Sequence, residues 1–229
     1  MTTVAVTDPA EADRCFVAYA AHELRGAITV QRTLAEVALA DPNANTTALR
    51  KMGEQVAAAC ERQARLLDAL LTLARSEYGH LRREPVDLAA SAAEALQDID
   101  HRGLTVSSAL EPARTSGDAR LIDRLIANLI VNAVRHNIPG GHVEIDTYTA
   151  AGRAGFTIAN TGPVITSGEL PRLFQPFQRL EAHGCPTTDG IGLGLAIVQA
   201  IADAHDAVLN AEARIEGGLK IDIDFPAST

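Results

Sequence analysis

The sequence predicts an α+β protein: an antiparallel helical hairpin that forms a dimeric four-helix bundle, followed by an α/β sandwich. Before residue 80, two long stretches repeat their packing residues at alternating steps of three and four, the spacing of helices that lie side by side. After residue 80, short strand-like runs are interspersed with helix-like ones. We therefore expect two domains, residues 1–80 and 81–229.

The first helix is predicted from about Pro9 to Ala40, in a stretch that is rich in alanine and free of internal proline. Its packing seam consists of Val17, Ala20, Leu24, Ala27, Gln31, Leu34 and Ala38. With Val17 at heptad position a, His22 falls at position f, on the side away from the seam. We expect the His22 ring to face water, which excludes a role in the core.

The second helix is predicted over residues 46–79, after the turn formers of residues 41–45, with Thr46 or Thr47 as its cap. Its seam consists of Leu49, Met52, Val56, Ala59, Gln63, Leu66, Leu70 and Leu73. A lone hairpin cannot cover the apolar stripes of both helices, whereas a second copy can cover them. The pattern therefore predicts a homodimer.

Residues 81–229 are predicted to form one sheet with helices on one face. Helices are expected at 86–100, 118–137 and 192–205. Strands are expected at 104–110, 142–149, 155–159, 208–215 and 218–225. The acidic side chain of Asp118 is expected to open the second of these helices.

The composition narrows the classes of function. Hydrophobic residues make up 47% of the 229 residues, which is enough to bury cores. A net charge of −9 and a pI near 5.2, without a basic run, argue against nucleic-acid binding. Cys15, Cys60 and Cys185 form no CxxC pair, so we expect free thiols in a reducing, cytoplasmic compartment. No apolar run is long enough to span a membrane, so we expect either a soluble protein or the soluble part of a longer one.

The predicted helix at 118–137 carries two asparagines on one face. Asn128 and Asn132 are four residues apart and are followed by Arg135 and His136. Taken alone, the two amides fit a buried amide network, a pair of surface amides or oxygen ligands for a hard cation. The basic residues that follow favour a site for phosphate.

Three later stretches add turn and glycine chemistry. Residues 160–163 end a strand in an Asn-Thr-Gly-Pro turn, which is ordinary turn chemistry by itself, and residues 173–179 alone predict only hydrophobic packing. Gly190, Gly192 and Gly194 lead into a helix, so that backbone N–H groups and the positive helix end can face an anion. This glycine pattern is neither a Rossmann fingerprint nor a P-loop.

In this order the stretches resemble the motifs of two-component sensor histidine kinases. His22 to Arg25 resembles the H-box, Asn128 to Asn132 the N-box, Asn160 to Pro163 the G1 box, Phe174 to Phe177 the F-box and Gly190 to Gly194 the G2 box. The resemblance covers nearly the whole chain. It implies a dimeric phosphoacceptor hairpin joined to a Bergerat-type ATP-binding sandwich, the layout that the residue pattern predicts.

The resemblance also implies ATP:protein-histidine phosphotransfer. His22 is implied as the phosphoacceptor, Glu23 as the group that takes a proton from the other ring nitrogen, and Asn132, supported by Asn128, as the Mg²⁺ ligand. The other implied nucleotide contacts are Arg135, His136, Asn160, Gly162, Arg179, Gly190, Gly192 and Gly194. The implied cofactors are ATP and Mg²⁺, and the implied partners are a second copy and a response regulator receiver domain. Membership in a membrane sensor, or association with one, is compatible with this implication.

Some positions depart from the family pattern. Asn160 stands in place of an aspartate and Val164 in place of a second glycine, so we expect ATP to bind, but less tightly. Two alternatives therefore stay open: a pseudokinase that serves as a dimeric scaffold or phosphoacceptor, and a pure ATPase. Gly26 and Ala27 replace a polar residue and a proline, which predicts weak dephosphorylation of the regulator. Asn128 stands where gyrase-type ATPases have a catalytic glutamate, which favours transfer over hydrolysis.

Overall fold

The computed structural model describes residues 26, 28–40, 45–78, 81–97, 99–101, 103–178 and 192–228. The chain divides into two compact units, Met1–Leu70 and Leu71–Thr229. The first contains helical hairpin segments, and the second contains the sheet with its helices.

Two helices form the hairpin: α1, described over residues 28–40, and α2, Thr46–Tyr78. The predicted seam of α1 is confirmed where it is described, because Gln31, Leu34 and Ala38 are half-buried. The part of the first helix predicted before residue 26, including the H-box histidine, lies outside the described residues.

The seam of α2 is also confirmed in its middle, where Ala59 and Leu66 are buried. Gln31 on α1 faces α2 and donates from Nε2 to Gln63 Oε1 at 3.4 Å. The predicted cap was wrong, because Asn45 rather than Thr46 or Thr47 accepts the Ala48 N–H, at 2.9 Å from its Oδ1. Asparagine is as good a cap as threonine, and it precedes both candidates.

The second unit is a mixed sheet covered by helices. Its strands are β1 Glu84–Asp87, β2 Thr105–Leu110, β3 Arg114–Gly117, β4 His142–Ala150, β5 Arg153–Asn160, β6 Val208–Ala213 and β7 Leu219–Pro226. Its helices are α3 Leu88–Gln97, α4 Ala119–Arg135 and α5 Gly194–Ala204, with a 3₁₀ turn at Leu170–Phe174. The main sheet has the order β2-β4-β5-β7-β6, in which β2 and β4 are parallel and the other pairs antiparallel. The strands β1 and β3 form a separate antiparallel pair.

One face of the main sheet is buried under the helices, as predicted. Along β4, Val143 and Ile145 are buried whereas the alternating residues Glu144 and Asp146 are exposed. On the helix side, α4 presents a continuous stripe of buried leucine and isoleucine residues toward this face. The alternating buried residues of the strands therefore pack against the buried stripe of α4 in one core.

The helix predicted at 86–100 begins later than expected. Residues Glu84–Asp87 pair with β3, and Asp87 Oδ1 then accepts the Ala89 N–H at 3.1 Å, so the helix starts at Leu88. The helix predicted to open at Asp118 does so, because Asp118 Oδ1 accepts the N–H of Leu121 at 3.3 Å. The remaining predicted strands and α5 are confirmed to within a few residues.

A buried histidine joins the end of α5 to the start of α4. His205 is only 1% exposed, and its Nδ1 lies 2.8 Å from the carbonyl oxygen of Ile201. Its Nε2 lies 3.0 Å from Asp118 N. A backbone N–H can only donate and a carbonyl can only accept, so the ring carries its proton on Nδ1 and leaves Nε2 as an acceptor.

Acid should destabilise this unit through His205. Burial lowers the pKa of His205 below its usual 6.5, even though the bond to Ile201 raises it. The neutral form is therefore favoured in the folded state, so stability is full above about pH 6.5 and falls as the pH drops toward the folded pKa. Urea unfolding across this pH range should show the decrease in the free energy of unfolding. A His205→Gln variant should be less stable at neutral pH, but its free energy of unfolding should decrease less as the pH falls. Equal acid sensitivity of the two proteins would contradict this assignment.

Candidate nucleotide-binding site

The polar face of α4 carries the two asparagines singled out in the sequence. Asn128 and Asn132 are both half-buried, one turn apart on that face. The Asn128 Nδ2 atom is buried and has no hydrogen-bond partner among the described residues. Unpaired buried amides are costly, so this nitrogen does not belong to a closed amide network and is a candidate ligand contact.

The start of α5 lies next to this face. A Cβ placed on Gly194 would be 3.9 Å from Asn128 Oδ1, so the amide lies close to the first residue of the helix. The first N–H groups of an α-helix have no partner within the helix, and the positive end of its dipole favours an anion there. The orphaned amide of α4 and the anion-attracting end of α5 therefore share one location.

Gly192 is required by its surroundings. Its φ is +74°, and an added Cβ would be 2.9 Å from the Phe177 carbonyl carbon. The carbonyl oxygen of Gly192 accepts the Phe177 N–H at 2.8 Å, so the predicted F-box and G2 stretches meet at this point. Phe177 itself has a φ of 64°, unusual for a residue with a side chain. The residues predicted at 179 and 190, Arg179 and Gly190, lie outside the described residues.

The turn at residues 160–163, hereafter the G1 turn, lies against the C-terminal end of α4. A Cβ on Gly162 would be 2.8 Å from the His136 carbonyl oxygen, so only glycine allows this approach. His136, which caps α4, has an exposed side chain, and that of Arg135 is half-buried. The two predicted halves of a nucleotide site, the face of α4 and the G1 turn, are thus neighbours.

Asn160 has an amide orientation that its surroundings determine. The residue is 6% exposed, and its Nδ2 donates to the Thr161 carbonyl oxygen at 2.7 Å. Because that carbonyl can only accept, the amide nitrogen must face it. The Asn160 Oδ1 atom then points away from Thr161, and no donor among the described residues reaches it. An amino group of a ligand can be accepted there.

The departure at Val164 causes no backbone strain. Its φ is not positive, and its side chain is 70% exposed. The position therefore does not require glycine in this chain.

At the H-box, Gly26 is helical and exposed, and an added Cβ would meet nothing within 4 Å.

Two glycines outside the predicted motifs also contact the candidate site: Gly217, which lies between two predicted strands, and Gly218, which was predicted to start the second of them. Gly217 and Gly218 form the turn between β6 and β7 with φ values of +96° and +99°. A Cβ on Gly218 would be 1.9 Å from the Asn160 carbonyl oxygen, and the Gly218 N–H donates to Pro163 at 2.9 Å. The adjacent glycines were the available signal, but a glycine pair in a hairpin is usually only turn chemistry.

Comparisons with known proteins agree with this arrangement. A family model described as Histidine kinase-, DNA gyrase B-, and HSP90-like ATPase matches residues 117–229. A second, the His Kinase A (phospho-acceptor) domain, matches residues 13–79. The chain belongs to the sensor histidine kinase family. The two matches confirm the predicted family and fold class, and the first supports the use of ATP.

Individual relatives of this histidine kinase core give the same picture. The sensor protein CutS of Streptomyces coelicolor is 39% identical over 220 residues, covering 94% of this chain and 53% of CutS. The chain thus spans about half the length of the curated relatives it matches. Acinetobacter baumannii histidine kinase AdeS has a TM-score of 0.68 at 22% identity, covering 91% of this chain and 98% of its own.

A second solved structure, histidine kinase ThkA in complex with response regulator protein TrrA, has a TM-score of 0.66 at 20% identity. The match covers 93% of this chain and 61% of that chain. At such identities both solved structures support the fold alone.

Proposed function

We propose that the chain uses ATP to phosphorylate its own His22 and passes the phosphoryl group to an aspartate of a response regulator receiver domain. The observation that carries the ATP part is the buried, unpartnered Asn128 amide next to the start of α5. The H-box sequence His22-Glu23 within the matched phosphoacceptor region supports the acceptor.

In the proposed reaction, the unprotonated ring nitrogen of His22 attacks the γ-phosphorus of ATP. A nitrogen–phosphorus bond forms while the bond to the β,γ-bridging oxygen breaks, and ADP leaves with that oxygen. Glu23 accepts the proton from the other ring nitrogen, so that a neutral phosphohistidine ring results. A carboxylate oxygen of the regulator aspartate later attacks the phosphorus. An oxygen–phosphorus bond forms while the nitrogen–phosphorus bond breaks, and the ring regains a proton, which restores the histidine.

The residues of α4 suit a magnesium nucleotide. Asn132 is proposed to hold Mg²⁺ through its amide oxygen, with Asn128 in support, since hard cations prefer oxygen ligands. When bound, Mg²⁺ supplies neutralisation of phosphate charge. Arg135 and His136 at the end of α4 are proposed to contact the nucleotide, as is Arg179.

The two glycine regions are proposed to hold the opposite ends of ATP. Gly190, Gly192 and Gly194 would receive the phosphates at the start of α5, where the helix end favours anions. Asn160 and Gly162 would receive the adenine, whose exocyclic amino group can donate to Asn160 Oδ1. The phosphate assignment is supported by Gly192, which needs glycine, and the adenine assignment by Gly162, which also needs glycine, and by the unused Asn160 oxygen.

The Asn160 site offers a direct measurement of adenine recognition. Asn160→Ala removes the proposed acceptor and should raise the ATP Kd about tenfold, the loss expected for one hydrogen bond. Asn160→Asp keeps an acceptor but sets a second carboxylate oxygen where Nδ2 now lies, 2.7 Å from the Thr161 carbonyl, so it should bind ATP better than the alanine variant while lowering the melting temperature. Calorimetric titration with MgATP checks both, and an unchanged Kd in Asn160→Ala would contradict the assignment.

The main alternative is a pseudokinase, and the replacement of the family aspartate by Asn160 is the observation that favours it. Incubation with γ-labelled ATP and Mg²⁺ separates the two. Acid-labile, base-stable label on the chain supports the kinase, whereas a folded chain without label supports a scaffold or a phosphoacceptor. Phosphate release that does not depend on His22 would instead indicate a pure ATPase.

The assembly is proposed to be a homodimer. Several large apolar side chains of α1 and α2 are more than two-fifths exposed in the single chain: Ile28, Val30, Val37, Leu39, Leu49, Leu67 and Leu71. Burying them against a second copy would complete the bundle. We retain residue 80 as the proposed boundary between the phosphoacceptor and ATP-binding domains.

The receiver domain is proposed as the partner because ThkA, a protein of the same fold, is seen with a response regulator protein. In the described part of the chain, no helix is long and apolar enough to cross a membrane. We propose that this part acts in the cytoplasm, alone or within a membrane sensor.

A further inference from the structure

A hydrogen-bonded cluster around Asn137, which lies outside the predicted motifs, joins the end of α4 to the G1 turn. Asn137 lies two residues after α4 and makes four side-chain hydrogen bonds. Its Nδ2 donates to the carbonyl oxygens of Ala133 at 3.2 Å and His142 at 3.1 Å. Its Oδ1 accepts from Thr161 Oγ1 at 2.6 Å and from Ile138 N at 2.9 Å. One side chain therefore joins a helix end, a loop, a strand and the G1 turn.

The Asn137 amide has only one orientation that suits its partners. Two carbonyl oxygens must face the Asn137 nitrogen and one backbone N–H must face its oxygen, so the amide cannot be reversed. The Thr161 hydroxyl gives its proton to Asn137 and accepts the His142 N–H at 2.8 Å. A Cβ on Gly141 would be 2.1 Å from Asn137 Oδ1, so the cluster is closed against the neighbouring backbone.

Thr161 stands between the two residues of the G1 turn proposed to receive adenine. Its backbone N–H donates to the His142 carbonyl at 3.0 Å, which extends the pairing of β4 and β5 by one residue. The Thr161 carbonyl in turn orients the Asn160 amide. Fixing Thr161 therefore fixes where the unused Asn160 oxygen lies relative to α4.

We infer that Asn137 is a positioning residue for ATP binding. It acts through Thr161 and holds the G1 turn at a fixed distance from the face of α4 that carries Asn128 and Asn132. This role rests on the proposed function, because it concerns the same nucleotide. Asn137 need not touch the ligand. Its contribution is to keep the adenine contacts and the phosphate contacts positioned so that one ATP molecule can make both without rearrangement of the site.

The test compares variants that break the link between the two side chains. Asn137→Ala and Thr161→Val should each raise the ATP Kd about tenfold, with a smaller change in the labelling rate at saturating ATP. The ATP Kd of the double variant should exceed that of the weaker-binding single variant by no more than about twofold, because both single changes break the same hydrogen bond. Thr161→Ser retains the hydroxyl and should recover most of the affinity.

A matched control separates positioning from general stability. Thr147→Val removes another threonine hydroxyl on the same sheet, one that is 1% exposed and donates to the Glu111 carbonyl at 2.7 Å. This control should lower the melting temperature without changing the ATP Kd. In nucleotide-free protein, hydrogen exchange at the Thr161 amide should accelerate in Asn137→Ala and stay unchanged in the control.

Three results would overturn the inference. An ATP Kd that is unchanged in both single variants would do so, as would a control that weakens ATP binding equally. Fully additive effects in the double variant would mean that the two residues act separately. Failure of the unmodified chain to bind ATP would overturn the proposed function together with this role, and it is visible before any variant is made.

Discussion

The variant His22→Gln is expected to carry no label after incubation with γ-labelled ATP and Mg²⁺. Glutamine keeps a polar side chain of moderate length, but its amide nitrogen is not nucleophilic. The proposed ATP site lies in a different unit of the chain, so ATP should bind with an unchanged Kd. Loss of label with retained binding separates the acceptor from the nucleotide site.

The control for this experiment is His101→Gln, which changes an exposed histidine of the second unit that has no proposed role. It should be labelled as strongly as the unmodified chain. Label that persists in His22→Gln would place the acceptor elsewhere. Treatment with acid and base before counting then tells whether the label is a phosphohistidine or a phosphoester.

The larger elements could be predicted because each has a strong period of its own. The stripe of α4 repeats over 17 residues and starts at a side-chain cap, and the burial of the residues in β4, β6 and β7 alternates along each strand. The pair β1 and β3 could not be found in this way. Each has four residues, and in β1 only Val86 is buried, beside Pro85, so no alternation is visible.

The same distinction separates the candidate site residues that the sequence predicts from those that only the structure adds. Asn128 and Asn132 stand out because they interrupt an apolar helix, and the glycines of the G2 stretch stand out by their spacing. Asn137 and Gly218 lie where a helix ends and where a hairpin turns, and such residues are common at both places. Their importance depends on what the fold brings against them, which no local pattern contains.

Replacing Gly218 by alanine is expected to disturb both the stability of the second unit and its affinity for ATP. The new Cβ would lie 1.9 Å from the Asn160 carbonyl oxygen and 2.9 Å from the Asn160 carbonyl carbon, both in rigid backbone. The φ of +99° adds strain for any residue with a side chain. Together these should cost about 3 kcal/mol of the free energy of unfolding.

Relief of this clash requires that the β6–β7 turn and the G1 turn move apart. The Gly218 N–H would then lose the Pro163 carbonyl, and the Asn160 oxygen would shift from the position proposed for adenine. We expect the ATP Kd to rise by at least about tenfold, measured at a temperature where the variant is folded. Gly152→Ala is the matched control, because Gly152 also has a positive φ, +74°, but nothing lies within 4 Å of its added Cβ. It should lose only about 1–2 kcal/mol and bind ATP normally, and equal losses of affinity in the two variants would show that backbone strain alone, rather than contact with the G1 turn, governs binding.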